Sequence, residues 1–497
     1  MYYHNRIANR NITYKQYNYA SFSSGINTDY DEKLLPVKYA KSTYNYCYQN
    51  GALKTGLGIR ELEIAYDLND KTKTKKITMP NGVYPLATYN YVRYNYELDK
   101  PFDSLIVYGS DKYLYMIRMY EVGSECTKLD EYQFSQIPMV ANYNINGADS
   151  LIIATEDEGM YVWDGYSEVT KINNAPAISS MCIHYERMYV TTSGDKRSVY
   201  FSDDLDPTNW SQSLTEGGFI NLMDERGTSN KVVSFNDCLY VFREYGIDKI
   251  IAYADQTSFQ VVPLFTSSTR IYTDTIRLCG DRIMFLATDG IYYFSGLSTT
   301  KYELNINDLF VKADNSNAVG AYYNGKYYLA CRLHMDDDIV GCENTTYNNN
   351  ILLELNIRSG ELNILRGYDI VNLQTLNNKN MSKLVILMRD GSKIRLGELC
   401  VTGEVFGVAT TKIWKSPKTS FGYSYKEKLL KQITINTDCD IEIEVETDDR
   451  VVRYDVCASS VPTSIRPNLK SREFAINFVC KKSNANISNP QVIIGVL

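Results

Sequence analysis

One strand–turn–strand unit recurs along the middle of this chain, and it limits the possible folds more than any other feature. Its clearest copy is "IMFLATDGIYYFSG", residues 283–296, in which two apolar runs flank Thr-Asp-Gly. Asp-Gly suits a tight hairpin turn, because the central positions favour a backbone that most other residues avoid. A single hairpin is marginal in water, so it must belong to something larger. Further copies start near Ser104 ("SLIVYGSDKYLYMIRMY"), Ser150, Arg187, Cys238 ("CLYVFREYGIDKIIAY"), Gly325 and Lys383 ("KLVILMRDGSKIRLGEL"). Aligned on the first strand, their anchors are Leu105, Leu151, Met188, Leu239, Ile283, Tyr327 and Leu384, at intervals of 46, 37, 51, 44, 44 and 57 residues. Such a period predicts the blades of a β-propeller, whose radial packing buries sheet faces and leaves only short, protected edges. The spacing predicts six or seven blades over roughly 85–400, with Asp289-Gly290 and Asp390-Gly391 at hairpin turns.

Competing architectures fit less well. Helical periodicity is nearly absent from 85–400, which argues against a βαβ fold, and solenoids use tighter, more regular periods. WD40-type signatures do not recur per blade; "VWDG" occurs once. The ends differ from the middle. Residues 1–60 are rich in Tyr, Asn and Ser, lack the blade pattern and read as an extended N-terminal arm lying over the propeller or a neighbouring subunit, or else as a disordered terminus. Residues 61–409 read as the propeller. Residues 410–497 read as a C-terminal antiparallel β segment, with closure of the propeller as a candidate role. There "IEIEVE" places Ile441, Ile443 and Val445 on one face and Glu442, Glu444 and Glu446 on the other. The expected class is all-β.

Composition narrows the functional classes. The 497 residues carry a formal net charge of −7, which argues against gripping nucleic acid through overall charge. The 43 tyrosines point to β structure with extensive interfaces. No apolar run is long enough for a membrane-spanning helix, and "MYYHNRIANRNITYK" lacks the apolar stretch of a secretory signal. The 11 cysteines are scattered singly, without Cys-x-x-Cys, so zinc sites and a disulfide framework are not expected, and most should be reduced core residues.

Chemistry-bearing motifs are sparse. His4, His184 and His334 form no close motif, and His184, in "MCIHYERMYV", reads as a strand histidine. There is no Gly-x-Ser-x-Gly elbow, phosphate loop or dinucleotide fingerprint. Asp336, Asp337 and Asp338, with Glu343 nearby, lack calcium-loop spacing and read as a solvated loop tip. The row Glu442-Glu444-Glu446 reads as a wet sheet face, its functional alternative being an acidic wall along a channel. "SDDLDPTNW" (Ser202 to Trp210) looks like a degenerate Asp-box, a structural turn of sialidase-type propellers, without its Gly and one residue too long. No catalytic, cofactor-binding or metal-binding residue is nominated, and no cofactor is expected.

The order of parts resembles the β-propeller tail-nozzle and tail-stabilisation proteins (tail accessory factors) of short-tailed bacteriophages. The resemblance rests on "SFSSGINTDYDEKLLPVKYAKSTYNY", "GMYVWDGYSEVTKI", "HYERMYVTTSGDKRSVYFSDDLDPTNW", "NDCLYVFREYGIDKI" and the closing "WKSPKTSFGYSYKEKLLKQITINTDCDIEIEVETD" with "REFAINFVC". It covers most of the chain through short, permissive motifs, and the chain is richer in Tyr and Asn than such relatives. It implies a non-enzymatic virion subunit, made in the host cytoplasm. The subunit would form a homo-oligomeric ring of six copies below the portal and adaptor, sealing the packaged genome and guiding its ejection. Other tail proteins would be neighbours, DNA would pass through the lumen without specific binding, and no membrane anchor is implied. The rival expectation is a glycan-binding or glycan-cleaving propeller acting at the host surface.

Overall fold

A computed structural model describes residues 12–496 except 23–24, 32–33, 68, 71, 96–98, 124, 214–215, 254–255, 335–346 and 379–380. Six antiparallel four-stranded sheets follow one another, and a six-stranded sheet completes the ring. All seven anchors fall on the second strand of their unit, and each is at most 1% exposed. Apolar residues alternate to both sides of these strands, because each blade is sandwiched between two others. The chain is thus a seven-bladed propeller.

Blade one comprises Pro85–Tyr91, Ser104–Gly109, Tyr113–Arg118 and Thr127–Gln133. Blades two to six begin at Met139, Ser180, Ser229, Arg277 and Val319. Blade seven takes Asp369–Asn378, Met381–Asp390 and Lys393–Cys400 from the end of the repeat, and its fourth strand, Gly58–Glu61, from near the N-terminus. The pairs Gly397↔Glu61, Glu398↔Arg60, Leu399↔Ile59 and Cys400↔Gly58 close the ring. The first strands of successive blades are stitched together. Asn90 Nδ2 donates to Asn377 O at 2.6 Å, Asn142 Nδ2 to Asn90 O at 3.0 Å and Thr375 Oγ1 to Tyr322 O at 2.8 Å.

Two expected turns shift by a residue. Ala287 pairs with Gly290, so Thr288-Asp289 form the turn and Gly290, at φ 144°, opens the next strand. Asp390 pairs with Lys393, so Gly391-Ser392 form the other turn, with Gly391 at φ 61° as its first central residue. That position favours glycine in a two-residue hairpin. Asp289 is not spare: it accepts from Thr269 Oγ1 at 2.9 Å, Tyr292 OH at 2.8 Å and Lys301 Nζ at 2.9 Å.

The ends form a second body instead of an arm and a closing segment. One sheet of seven strands joins Thr13–Asn18, Tyr46–Gln49 and Ala52–Thr55 to Lys428–Thr437, Thr463–Ile465, Leu469–Ser471 and Asn486–Val496. A five-stranded sheet joins Ser42–Tyr44 to Lys412–Lys415, Ile441–Glu446, Val451–Val456 and Ala475–Cys480. Phe22, Leu53, Trp414, Leu430, Ile443, Phe478 and Val492 fill the space between them. The physical reason is aromatic insertion: Phe22 packs edge-on against Trp414 and Phe478, with centroids at 5.1 and 5.6 Å. Tyr19, 1% exposed, hydrogen-bonds Ser416 Oγ at 2.6 Å and accepts from Ile476 N–H at 3.0 Å. A polar-looking segment thereby supplies core. The C-terminal segment does not close the propeller; the N-terminal strand does.

Candidate functional site

The sandwich is bolted to blade six, and a cavity of about 560 Å³ lies at the joint. Its floor follows from strand register. Tyr328 lies opposite Glu354, and Glu354 opposite Asn363, so the three side chains share a face. Lys326 and Glu361 join that face two residues along their chains, as diagonal neighbours of Glu354 with Cβ atoms roughly 7 Å away. The roof comes from the sandwich: Tyr48, Gln49, Lys54, Thr55, Asp438 and Asn486.

Glu354 is the centre. It interrupts the aliphatic run "ILLELN" and is 3% exposed, so its charge needs partners. Lys326 Nζ donates to Oε1 at 2.8 Å, Asn363 Nδ2 to Oε1 at 2.8 Å and Tyr328 OH to Oε2 at 2.6 Å. Burial, then the Glu354 charge, pushes the Tyr328 hydroxyl far above its ordinary pKa, so it stays a donor. Glu361, at the rim, has its pKa raised by burial, offset by Lys326 and reinforced by Glu354. The wall thiol of Cys47 is pushed up to about 12, chiefly by burial, and is inert. Lys54 Nζ donates to Asn486 Oδ1 at 2.6 Å. A buried carboxylate that accepts from three donors, a second whose pKa burial raises, and flanking lysines and amides make a surface that can grip hydroxyl-rich or zwitterionic groups.

Around the cavity the joint is held by hydrogen bonds and a shared apolar core. Asn45 N donates to Ile364 O at 2.7 Å, Asn45 Oδ1 accepts from Arg366 N at 2.8 Å and Asn45 Nδ2 donates to Thr411 O at 2.8 Å. Tyr44, Ile413 and Val479 of the sandwich share a core with Leu333, Leu353 and Ile364 of the propeller. Tandem carboxylates separated by "LNIRSG" on a strand–turn–strand were the available sequence signal for this face, since Glu354 alone is charged among buried aliphatics.

The residues weighed from sequence lie elsewhere. His184 is 4% exposed, its Nδ1 2.8 Å from Ser234 Oγ of the next blade, and burial lowers its pKa. Glu444 and Glu442 face Arg453 Nε at 2.8 and 3.4 Å, and Glu446 faces Lys418 Nζ at 2.9 Å. The acidic row is a salt-bridged sheet face. In the Asp-box-like loop, Ser202 Oγ accepts from Met188 N at 3.0 Å and Trp210 Nε1 donates to Pro207 O at 2.9 Å. Trp210 is buried between blades two and three, so that loop is a structural turn. His4, Asp336, Asp337, Asp338, Cys342 and Glu343 lie outside the described residues. Among the described residues no group of three or more His, Cys, Asp or Glu side chains is placed to hold a metal ion, and no helix is long and apolar enough to cross a membrane.

No family model and no curated protein matches the chain. Among solved structures, BBS1N in complex with ARL6DN aligns over 63% of this chain and 96% of its own, at 9% identity and TM-score 0.39. PorZ, a surface component of the type-IX secretion system of Porphyromonas gingivalis, aligns over 75% of this chain and 46% of its own, at 12% identity and TM-score 0.38. The extracellular domain of BT4673 from B. thetaiotaomicron aligns over 91% of this chain and 64% of its own, at 9% identity and TM-score 0.41.

Proposed function

We propose that this chain is a non-enzymatic structural subunit of a bacteriophage tail, one block of a ring around the DNA exit path. The observation that carries the reading is mechanical. The propeller is closed by hydrogen-bonded backbone from its own N-terminal region, and both ends of the described chain run into one sandwich fixed to blade six. Load on such a block passes along strand ladders and packed aromatic cores, with little slack to take up. The stretches that resemble tail-nozzle proteins include ordered strands: "GMYVW" and "CLYVFR" are blade strands, and "IEIEVE" is a sandwich strand. Six copies, contacts with portal, adaptor and other tail proteins, and residence in the virion follow from that resemblance. Electron microscopy of the full-length protein should show rings, and mass spectrometry of purified phage particles should recover this chain. Monomers at every concentration, or absence from particles, would refute the reading.

A glycan-binding or glycan-cleaving role at the host surface is favoured by one observation, the Glu354–Glu361 face with its lysines and amides in a cavity. Host polysaccharide incubated with the protein would then be retained or release reducing sugar, and Glu361→Gln would abolish the effect. Neither retention nor release would remove this reading.

A further inference from the structure

Within the sandwich, two thiols meet beside a buried lysine. Cys439 lies in the turn between Lys428–Thr437 and Ile441–Glu446, and Cys480 ends Ala475–Cys480. Glu442 pairs with Val479, so that turn is delivered next to the end of the neighbouring strand. The sulfurs are 3.9 Å apart, with Cys480 donating to Cys439. The two residues are 3% and 0% exposed. Lys412 lies directly opposite Cys480 and is 0% exposed. Its ammonium donates to Gly403 O at 3.5 Å, Thr410 O at 3.1 Å and Lys482 O at 2.5 Å. A buried cation held only by carbonyls is costly unless an anion lies near. Both thiols, and more weakly the Glu404 carboxylate, are within its Coulombic reach. The Cys480 S–H, working against burial, holds the Cys439 thiol below the ordinary range. Ten of the chain's cysteines are described, and this is the pair among them whose sulfurs approach within hydrogen-bonding distance.

We propose that Cys439 and Cys480 are an oxidisable dithiol that closes to an intramolecular disulfide under hydrogen peroxide. The Cys439 thiolate attacks one peroxide oxygen; an S–O bond forms, the O–O bond breaks, and the departing hydroxide takes up a proton to become water. Cys480 then gives its proton to the oxygen on Cys439 while its sulfur attacks the Cys439 sulfur. The S–S bond forms, the S–O bond breaks and a second water leaves. Two thiols lose two electrons in total, and one peroxide becomes two waters. Closure needs the sulfurs to approach by about 2 Å to reach disulfide length. The bond ties together residues 41 apart and fastens the turn to the far end of a strand from the opposite side of Lys412. A chain made reduced in cytosol would thus gain a covalent clasp in oxidising surroundings, independently of the role proposed above.

The test uses the full chain carrying Cys457→Ser, which removes the exposed thiol that could cross-link molecules. After peroxide treatment, non-reducing peptide mapping should recover a Cys439–Cys480 peptide pair. The melting temperature should rise by a few degrees, and dithiothreitol should reverse both changes. In Cys480→Ser, dimedone should trap Cys439 as its sulfenic acid adduct. If that variant does not fold, the map of the parent decides alone. Recovery of both peptides as free thiols, or of Cys439 joined to another cysteine, would overturn the proposal.

Discussion

Replacing Ile59 by Ala should open the propeller at its seam. Ile59 is 0% exposed, lies opposite Leu399 and packs with Leu57, Ile386 and Val405. Its side chain rests against the bare backbone of Gly397, where a Cβ would come within 2.4 Å of Ile59 Cγ2. The substitution removes three carbons, each contributing about 0.8 kcal/mol of transfer free energy, or roughly 2.4 kcal/mol together. The strand on the other side is held by its own ladder and cannot fully collapse into the gap, so a cavity penalty brings the total to about 3–4 kcal/mol. Denaturant titration measures the total, and hydrogen exchange locates it. Amides of 58–61 and 397–400 should lose protection before those of the sandwich. Glu61→Ala is the control: its half-exposed side chain pairs with Lys76 at 2.7 Å and should cost no more than about 1 kcal/mol. A loss below about 1 kcal/mol for Ile59→Ala, or faster exchange that spares 58–61, would refute the seam as the weak point.

Four further outcomes are expected. Gly290→Val should cost about 1–3 kcal/mol by thermal denaturation, because φ is 144° and a Cβ would meet Asn307 Oδ1 at 2.6 Å. Gly391→Asn, in open space at φ 61°, should be nearly neutral. Asp248→Ala should cost about 3–5 kcal/mol in a denaturant titration, since it strips a partner from Arg243, bonded at 3.1 Å, and from Arg226, all of them buried. His184 has its pKa lowered by burial from 6.5, so the unfolded chain takes up a proton first as pH falls. Stability should therefore drop below about pH 6.5, and melts across that range should show a smaller drop in His184→Gln.

The blades were legible because each needs an apolar strand at a fixed place, and those strands sit between neighbours on both sides. Leu105 and Leu384 announce themselves for that reason. Turn positions were legible only to within a residue. At 288–290 the Asp side chain, bound to Thr269, Tyr292 and Lys301, fixes the turn one place earlier than the glycine suggests. The closing strand was hidden because Gly58–Glu61 offers one apolar side chain, Ile59, and finds its partner far along the chain. Thr13–Asn18 was hidden differently: it is an edge strand with mostly exposed side chains, held by backbone pairing to Asn486–Val496. By itself Glu354 carries no signal in the sequence, because its meaning depends on Lys326, Tyr328 and Asn363, which only the sheet register brings together.

The seam also sets a timetable for synthesis. Residues 58–61 leave the ribosome early, yet their partner strand, Lys393–Cys400, is made more than 300 residues later. At about 5–20 residues per second, the first strand waits on the order of 15–70 s for its mate. The segments 13–18, 42–44 and 52–54 wait longer still, since their distant partners lie at 413–415 and 486–496. A nascent chain can therefore stack blades one to six while these early strands still lack their distant partners. Contacts so distant in sequence make ring closure a late event with a large loop-entropy cost. Any chain released before residue 400 keeps an open seventh blade, so unfinished products carry a structural mark that separates them from complete ones.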